Sequence, residues 1–110
     1  MDLMRLILAL CVIESGGDIN AIGDNELAVG ILQIHPIMVE DVNRIALTRY
    51  TLADRKNKEK SIEMCKIYLK HYGGTIEEMA RKWNGGPQGH KKDTTIKYWE
   101  KVRKELRKNT

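Results

Sequence analysis

The sequence predicts a mainly helical α+β domain, a bundle of five helices with a small irregular or β-like segment between the first and second. Three observations predict it. Apolar residues recur at helical intervals over most of the 110 residues. Glycines gather at three places, Gly16-Gly17 with Gly23, Gly73-Gly74, and Gly85-Gly86 with Gly89, where they punctuate helices. Only the stretch from Asp18 to Ile34 breaks the helical rhythm.

The first helix is expected from about Asp2 to Ser15, stopping at Gly16-Gly17 because glycine accepts the left-handed conformation common at helix ends. Gly23-Asp24-Asn25 then reads as a turn and Leu27 to Ile34 as short extended segments, with Gly30 weakening any strand. Pro36 suits the first position of a second helix running to about Thr48, with Ile37, Val39, Val42, Ile45 and Ala46 at mostly helical intervals. Ile62, Cys65, Leu69 and Tyr72 form one buried stripe of a third helix, which Gly73-Gly74 ends. Thr75-Ile76-Glu77-Glu78 is a capping box opening a short fourth helix that reaches Trp83 and is broken by Asn84-Gly85-Gly86-Pro87. A last helix from about Thr94 to Arg107 is expected to bury Ile96, Trp99, Val102 and Leu106.

With 42% hydrophobic residues and 31% charged, residues 1–110 have the balance of one globular domain, long enough to bury roughly two-thirds of its unfolded surface without staples. Cys11 and Cys65 are too few for a disulfide framework and have no zinc-ligand spacing; each sits in an apolar helical pattern and reads as a small buried hydrophobe. His35, His71 and His90 show no spacing for a metal or a triad and read as structural, so neither metal nor cofactor is expected. The apolar run Leu6–Ile13 after Arg5 imitates a secretory signal, but no small-x-small site follows it and eight residues cannot cross a bilayer, so it reads as a helix of the mature fold.

Charge is unevenly placed. Residues 1–50 carry 3 basic and 7 acidic side chains, residues 51–110 carry 16 and 8. Such a basic half suits nucleic acid, an anionic membrane surface or an anionic wall polymer, and charge alone does not choose.

Glu14 stands out chemically. It follows eight apolar residues and falls in the last turn of the first helix. Partial desolvation and the negative end of the helix dipole both disfavour its carboxylate, which raises the pKa toward the range of a general acid. A solvent-facing glutamate at a helix end is the structural alternative.

Around it lie Glu14-Ser15-Gly16-Gly17, Asn20-Ala21, Gly30-Ile31-Leu32-Gln33-Ile34 with Pro36, Ala80 to Trp83-Asn84-Gly85-Gly86-Pro87, and Thr95-Ile96-Lys97-Tyr98 with Val102. Taken in this order, these motifs resemble the soluble lytic transglycosylase catalytic domain of the goose-type lysozyme superfamily, glycoside hydrolase family twenty-three. Each motif is weak alone; their order along nearly the whole chain makes the signal specific. Trp83 stands where many relatives have Tyr or Phe, and Leu32 where many have Met; both changes conserve packing.

The resemblance implies a lysozyme-like fold and cleavage of the β-1,4 bond between N-acetylmuramic acid and N-acetylglucosamine in peptidoglycan, leaving 1,6-anhydromuramoyl ends, with Glu14 as sole acid and base. It implies that Ser15 hydrogen-bonds sugar or the site carboxylate, with satisfaction of backbone at the helix end as the alternative. Gln33 would bind an N-acetyl sugar, Asn84 would reach substrate while Gly85 and Gly86 let backbone approach, and the Tyr98 hydroxyl would lie near Glu14. Peptidoglycan strands are the implied partner, with anionic wall polymers for the basic C-terminal half; nucleic acid and a membrane span are not expected, and the chain is expected to be a monomer. Action is expected at the bacterial wall, by export or phage delivery, as in a compact endolysin-like protein. Two rival readings remain: a lysozyme using Asp24, Glu26 or Asp41 to activate water, and a non-catalytic wall-binding module.

Overall fold

Five helices form, α1 (Leu3–Ser15), α2 (Pro36–Ala46), α3 (Lys58–Tyr72), α4 (Ile76–Gly85) and α5 (Ile96–Arg107). A two-stranded antiparallel hairpin, β1 (Ile22–Gly23) and β2 (Ala28–Val29), lies between α1 and α2. This computed structural model describes residues 2–108; Met1, Asn109 and Thr110, part of the single domain expected over 1–110, lie outside the described residues. The fold is mainly helical, with the small β segment where the helical rhythm fails. No helix among the described residues is long and apolar enough to cross a membrane.

Helix α1 is the spine of the core. Leu6, Ile7 and Leu10 are fully buried, and the helix packs against α3, α4 and α5. Leu32 and Ile34 from the segment after the hairpin, Val42 of α2, Met64 and Leu69 of α3, Ala80 of α4 and Val102 of α5 close around it. Cys11 and Cys65 are both buried and unpaired with each other, and burial pushes the Cys11 thiol up to about 11. They fill space as small hydrophobes.

Helix ends follow local chemistry. The Asp2 side chain accepts from the Arg5 amide at 2.8 Å, and Gly16 closes α1 in the left-handed conformation at φ 65°. Thr75 and Glu78 form the expected capping box at the start of α4. The Lys82 ammonium donates to the carbonyls of Tyr72 and Gly73, both at 2.9 Å, closing the end of α3. This buried lysine is invisible in the helical spacing.

Three boundaries differ from the sequence reading. Helix α2 ends at Ala46, because Leu47 turns left-handed (φ 55°) and the Asn43 side chain binds Thr48 and Tyr50 instead of letting the helix continue. Helix α4 continues through Asn84 and Gly85 to Gly86, whose amide donates to the Lys82 carbonyl. Ile96, expected in the core, is 41% exposed: α5 begins only there, after a 3₁₀ turn at Asp93–Thr95, and its buried seam starts further along and centres on Val102 and Leu106.

The 3₁₀ turn Leu52–Lys56, opened by a Thr51–Asp54 capping box, was not legible as an element. It carries Arg55, a buried cation whose guanidinium donates to three carbonyls, those of Leu52, Leu27 and Ile34, each at 2.9 Å. The Arg55 carbonyl in turn accepts from Ser61 on α3 at 2.8 Å. Arg55 therefore ties the hairpin and the segment after it to the helical body. The fit is close at Gly30, which sits at φ 89°; a Cβ there would lie 1.8 Å from the Arg55 carbonyl oxygen. Gly30→Ala is expected to destabilise the fold by about 2–5 kcal/mol, through left-handed strain and displacement of that carbonyl. Denaturant melts of the variant and the wild type measure it.

Candidate active site

The C-terminal end of α1 delivers Glu14 to a cavity of about 650 Å³. One wall comes from the hairpin, the segment after it and α2, with Asp24, Gln33, His35, Met38, Asp41 and Arg44; the other comes from α3, α4 and the turn after it, with Tyr68, Tyr72, Trp83, Asn84, Gly86 and Pro87. The volume lies in the range of ligand-binding clefts.

Glu14 does not face open solvent. Tyr98 of α5 donates its hydroxyl to Glu14 Oε2 at 2.6 Å across the packed α1–α5 contact. Burial raises the Glu14 pKa, the Tyr98 hydrogen bond partly counters it, nearby Asp24 adds to the rise and His35 opposes it; the net direction is up. Tyr98 is itself pushed well above the usual phenol range, chiefly by burial and by the Glu14 charge, so it keeps its proton and remains a donor. The site thus holds a carboxyl whose proton is retained to higher pH and whose orientation is fixed by one neutral donor.

Gln33 lies on the cavity wall in a left-handed conformation, φ 52°. Its Nε2 donates to the carbonyls of Ala21 and Gly30, at 3.1 and 3.0 Å, and these two acceptors define which end of the amide is the NH₂. Its Oε1 rests against Gly23, where a Cβ would come within 2.6 Å. Gly23 is therefore required by the side chain facing it. Asn84 lines the cavity from the last turn of α4, exposed, and not from a loop beyond the helix. Of the two glycines expected to open the backbone, Gly86 lines the cavity, whereas Gly85 packs inward: a Cβ there would lie 2.6 Å from Thr95 Cγ2.

Ser15 does not bind the site carboxylate. Its hydroxyl donates to the Ile31 carbonyl at 2.7 Å and approaches that of Cys11 at 3.2 Å, and it accepts from the Gly17 amide at 3.2 Å. The alternative of a backbone-satisfying serine is the one present, and it fastens the end of α1 to the segment carrying Gln33. Glu14, Gln33 and Asn84 thus line one cavity, Tyr98 reaches Glu14 from behind, and Ser15 acts on backbone.

Other pairings here escape the sequence reading, which named Asp24 and Asp41 only as carboxylates that could activate water. His35, read there as structural, lines the cavity and pairs with Asp24 through Nε2 and Oδ2 at 3.0 Å. The hairpin brings together two residues eleven apart, with Asp24, Asn25 and Glu26 all at positive φ in its turn, a juxtaposition no helical or strand period announces. On the same wall Asp41 accepts from the Tyr72 hydroxyl and from Arg44. Burial pushes Asp41 up, but those two partners more than offset it and hold it below the usual carboxylate range. Tyr68 stands edge-on to Trp83 with ring centroids 5.3 Å apart, giving the opposite wall its aromatic face.

Because the Tyr98 hydroxyl favours ionised Glu14, Tyr98→Phe should raise the Glu14 pKa further. Titration of the Glu14 carboxyl carbon by NMR measures this, with a shift of the midpoint to higher pH as the expected outcome.

The family model described as Transglycosylase SLT domain matches residues 2–106. Among solved structures, a chain from the crystal structure of Aeromonas hydrophila PliI in complex with Meretrix lusoria lysozyme is similar, with a TM-score of 0.77 and 27% identity over 91% of this chain and 87% of that chain. No curated protein matches the sequence. The family match spans nearly every described residue, from the cap of α1 to the last buried leucine of α5, and the chain belongs to the transglycosylase SLT domain family.

Proposed function

We propose that this protein is a peptidoglycan lytic transglycosylase, a member of glycoside hydrolase family twenty-three, that cleaves the β-1,4 bond between N-acetylmuramic acid and N-acetylglucosamine with Glu14 as its only acid and base. The observation that carries this reading is the Glu14 carboxyl itself: partly buried at the end of α1, shifted upward by burial, held by Tyr98 and open to a cleft. Membership of the family supports the substrate.

Protonated Glu14 gives its proton to the glycosidic oxygen as the bond to muramoyl C1 breaks, so the departing glucosamine leaves with a free hydroxyl. The developing positive charge at C1 is met by the substrate's own acetamido oxygen, which replaces a second protein carboxylate. Glu14, now ionised, takes the proton from the muramoyl C6 hydroxyl as that oxygen attacks C1. The product is the 1,6-anhydro sugar, Glu14 is again protonated, and no water is consumed. A raised pKa serves the first step, and the Tyr98 hydrogen bond stabilises the carboxylate between the two.

In this reading Gln33 Oε1, whose NH₂ is already occupied, accepts from a sugar acetamide N–H, and Asn84 supplies an amide from the facing wall. Ser15 works indirectly, by holding the Gln33 segment against α1. Residues 1–110 act as one catalytic domain and as a monomer, without cofactor, at the bacterial wall after export or phage delivery. The basic C-terminal half draws the protein to anionic wall polymers.

Hydrolysis is the second reading, and one observation favours it: Asp24 lies on the cavity wall with Glu14. Of the three carboxylates open to that role, Glu26 is not among the lining residues, Asp41 accepts from both Tyr72 and Arg44, and Asp24 pairs with His35 through one oxygen, which leaves Asp24 the less occupied of the two on the wall.

Digestion of purified peptidoglycan followed by mass spectrometry of the muropeptides separates the two. Ends one water lighter than hydrolysis products are expected; reducing muramic ends that disappear in Asp24→Asn would establish the lysozyme instead. Glu14→Gln is expected to lower cleavage by at least about 100-fold while the thermal melt and sedimentation with cell walls stay near wild type. Wild-type turnover by that variant would overturn the assignment of Glu14.

A further inference from the structure

The cleft is acidic. Glu14, Asp24, Glu40 and Asp41 bring four carboxyl groups to its wall, and among the described residues Arg44 is the one lysine or arginine there. The chain carries 19 such cations, so a single one turned to the cleft is set apart from the solvated majority. Arg44 stands in the last turn of α2, nine residues after His35, whose charge reaches Glu14. By the helical rise it lies about 13 Å further along the wall, more than one sugar ring from the bond that Glu14 would break.

Arg44 is held in place although its side chain is 65% exposed. Nε and Nη2 both donate to Asp41 Oδ1, while Asp41 Oδ2 accepts from the Tyr72 hydroxyl of α3. Tyr72 in turn packs its ring on Tyr68, with centroids 4.8 Å apart. Two helices thus brace the guanidinium, where an ordinary ion pair on a solvated helix face rests on one. A group fixed beforehand loses little freedom when it binds. Asp41 takes the Nε–Nη2 edge of the planar group; the Nη1–Nη2 end, which also presents two parallel N–H donors, makes no hydrogen bond to the described residues. Such a fork matches a carboxylate. On a strand of alternating N-acetylglucosamine and N-acetylmuramic acid, carboxylates hang only from the muramoyl lactyl arm: the lactyl carboxylate itself where the peptide stem has been removed, or those of the stem where it is present.

We infer that Arg44, braced by Asp41 and Tyr72, is a carboxylate-binding site of the cleft that takes the acidic arm of a muramoyl residue. The inference rests on the glycan strand as substrate, the reading proposed above, and holds for transglycosylation and hydrolysis alike. Contact there is remote from the reacting bond, so its effect falls on KM and on the choice of strand, and proton transfer is left to Glu14.

Two pairs of glycan strands test it: strands stripped of their stems by an amidase, and strands that keep their stems, each compared with the same material after its carboxylates are capped as methylamides. The wild-type protein should favour the free carboxylates of at least one pair by about fivefold in kcat/KM, chiefly through KM. A preference in the stripped pair identifies the lactyl carboxylate as the ligand, and one in the stemmed pair alone identifies the stem. Arg44→Gln should abolish that preference or reverse it, because the wall that remains is acidic. Arg44→Lys, which keeps the charge without the fork, should keep only part of it. A ratio taken within one protein is insensitive to any loss of folded material, and thermal melts check both variants. Absence of a wild-type preference in both pairs, or a preference that Arg44→Gln leaves intact, would overturn the carboxylate site and leave cleavage standing. Failure of the wild type to cleave any of the strands would overturn the proposed function instead; the same ratios, read by calorimetry as dissociation constants for the Glu14→Gln protein with and without the Arg44→Gln change, would then decide the site, and binding of no strand would overturn both.

Discussion

The burial of α1 is the constraint on which the rest depends. A helix this apolar must bury most of its surface, and α3, α4 and α5 cover it through Met64, Leu69, Ala80 and Val102. Its last turn is therefore carried to the edge of the core, where the side chain of Glu14 is half withdrawn from water and meets Tyr98 before it meets solvent. The perturbed carboxyl is a by-product of packing: the same exclusion of water that stabilises Leu6, Ile7 and Leu10 disfavours the charge on Glu14.

The second wall of the cleft is held differently. The hairpin has only two residues in each strand, and it buries little by itself. Backbone carbonyls of Leu27 and Ile34 are gathered by the Arg55 guanidinium, the Ile31 carbonyl by Ser15, and those of Ala21 and Gly30 by the Gln33 amide. A run of irregular backbone is thus held by three side chains, two from other elements and one of its own. Polar groups do here what apolar packing does on the helical side.

Much of this was legible in the sequence. The 3.6-residue rhythm, the Thr75 capping box and the Gly16 and Gly73 stops placed the helices, because those signals are local and read the same in any fold. Glu14 was legible as well, since eight apolar residues before a carboxylate carry their own electrostatic meaning. What was hidden depends on distance in the chain. Nothing near Arg55 announces that it will bind carbonyls 21 and 28 residues earlier, and nothing near His35 announces Asp24. Ser15 was legible as a polar helix end but not as a bond to Ile31. Ile96 misled because it fits the period of α5 while preceding the stretch of that helix that is buried. The family motifs drew the eye to Asn84 and Gly85 as a loop, whereas Thr95 packing against Gly85 lets the helix continue through both.

The Arg55 clamp also bears on the order of assembly. Contacts between α3 and α4 or α4 and α5 close short stretches of chain, whereas Arg55 joins its carbonyls only after the intervening α2 has been folded back, a loop closure of higher entropy. Until that happens the hairpin has no fixed register against the body and Gln33 has no fixed place. Helices α3 to α5 can therefore associate ahead of the cleft, whose Gln33 wall waits on Arg55 and whose Glu14 waits on the still longer closure that brings Tyr98 of α5 to α1, 84 residues apart.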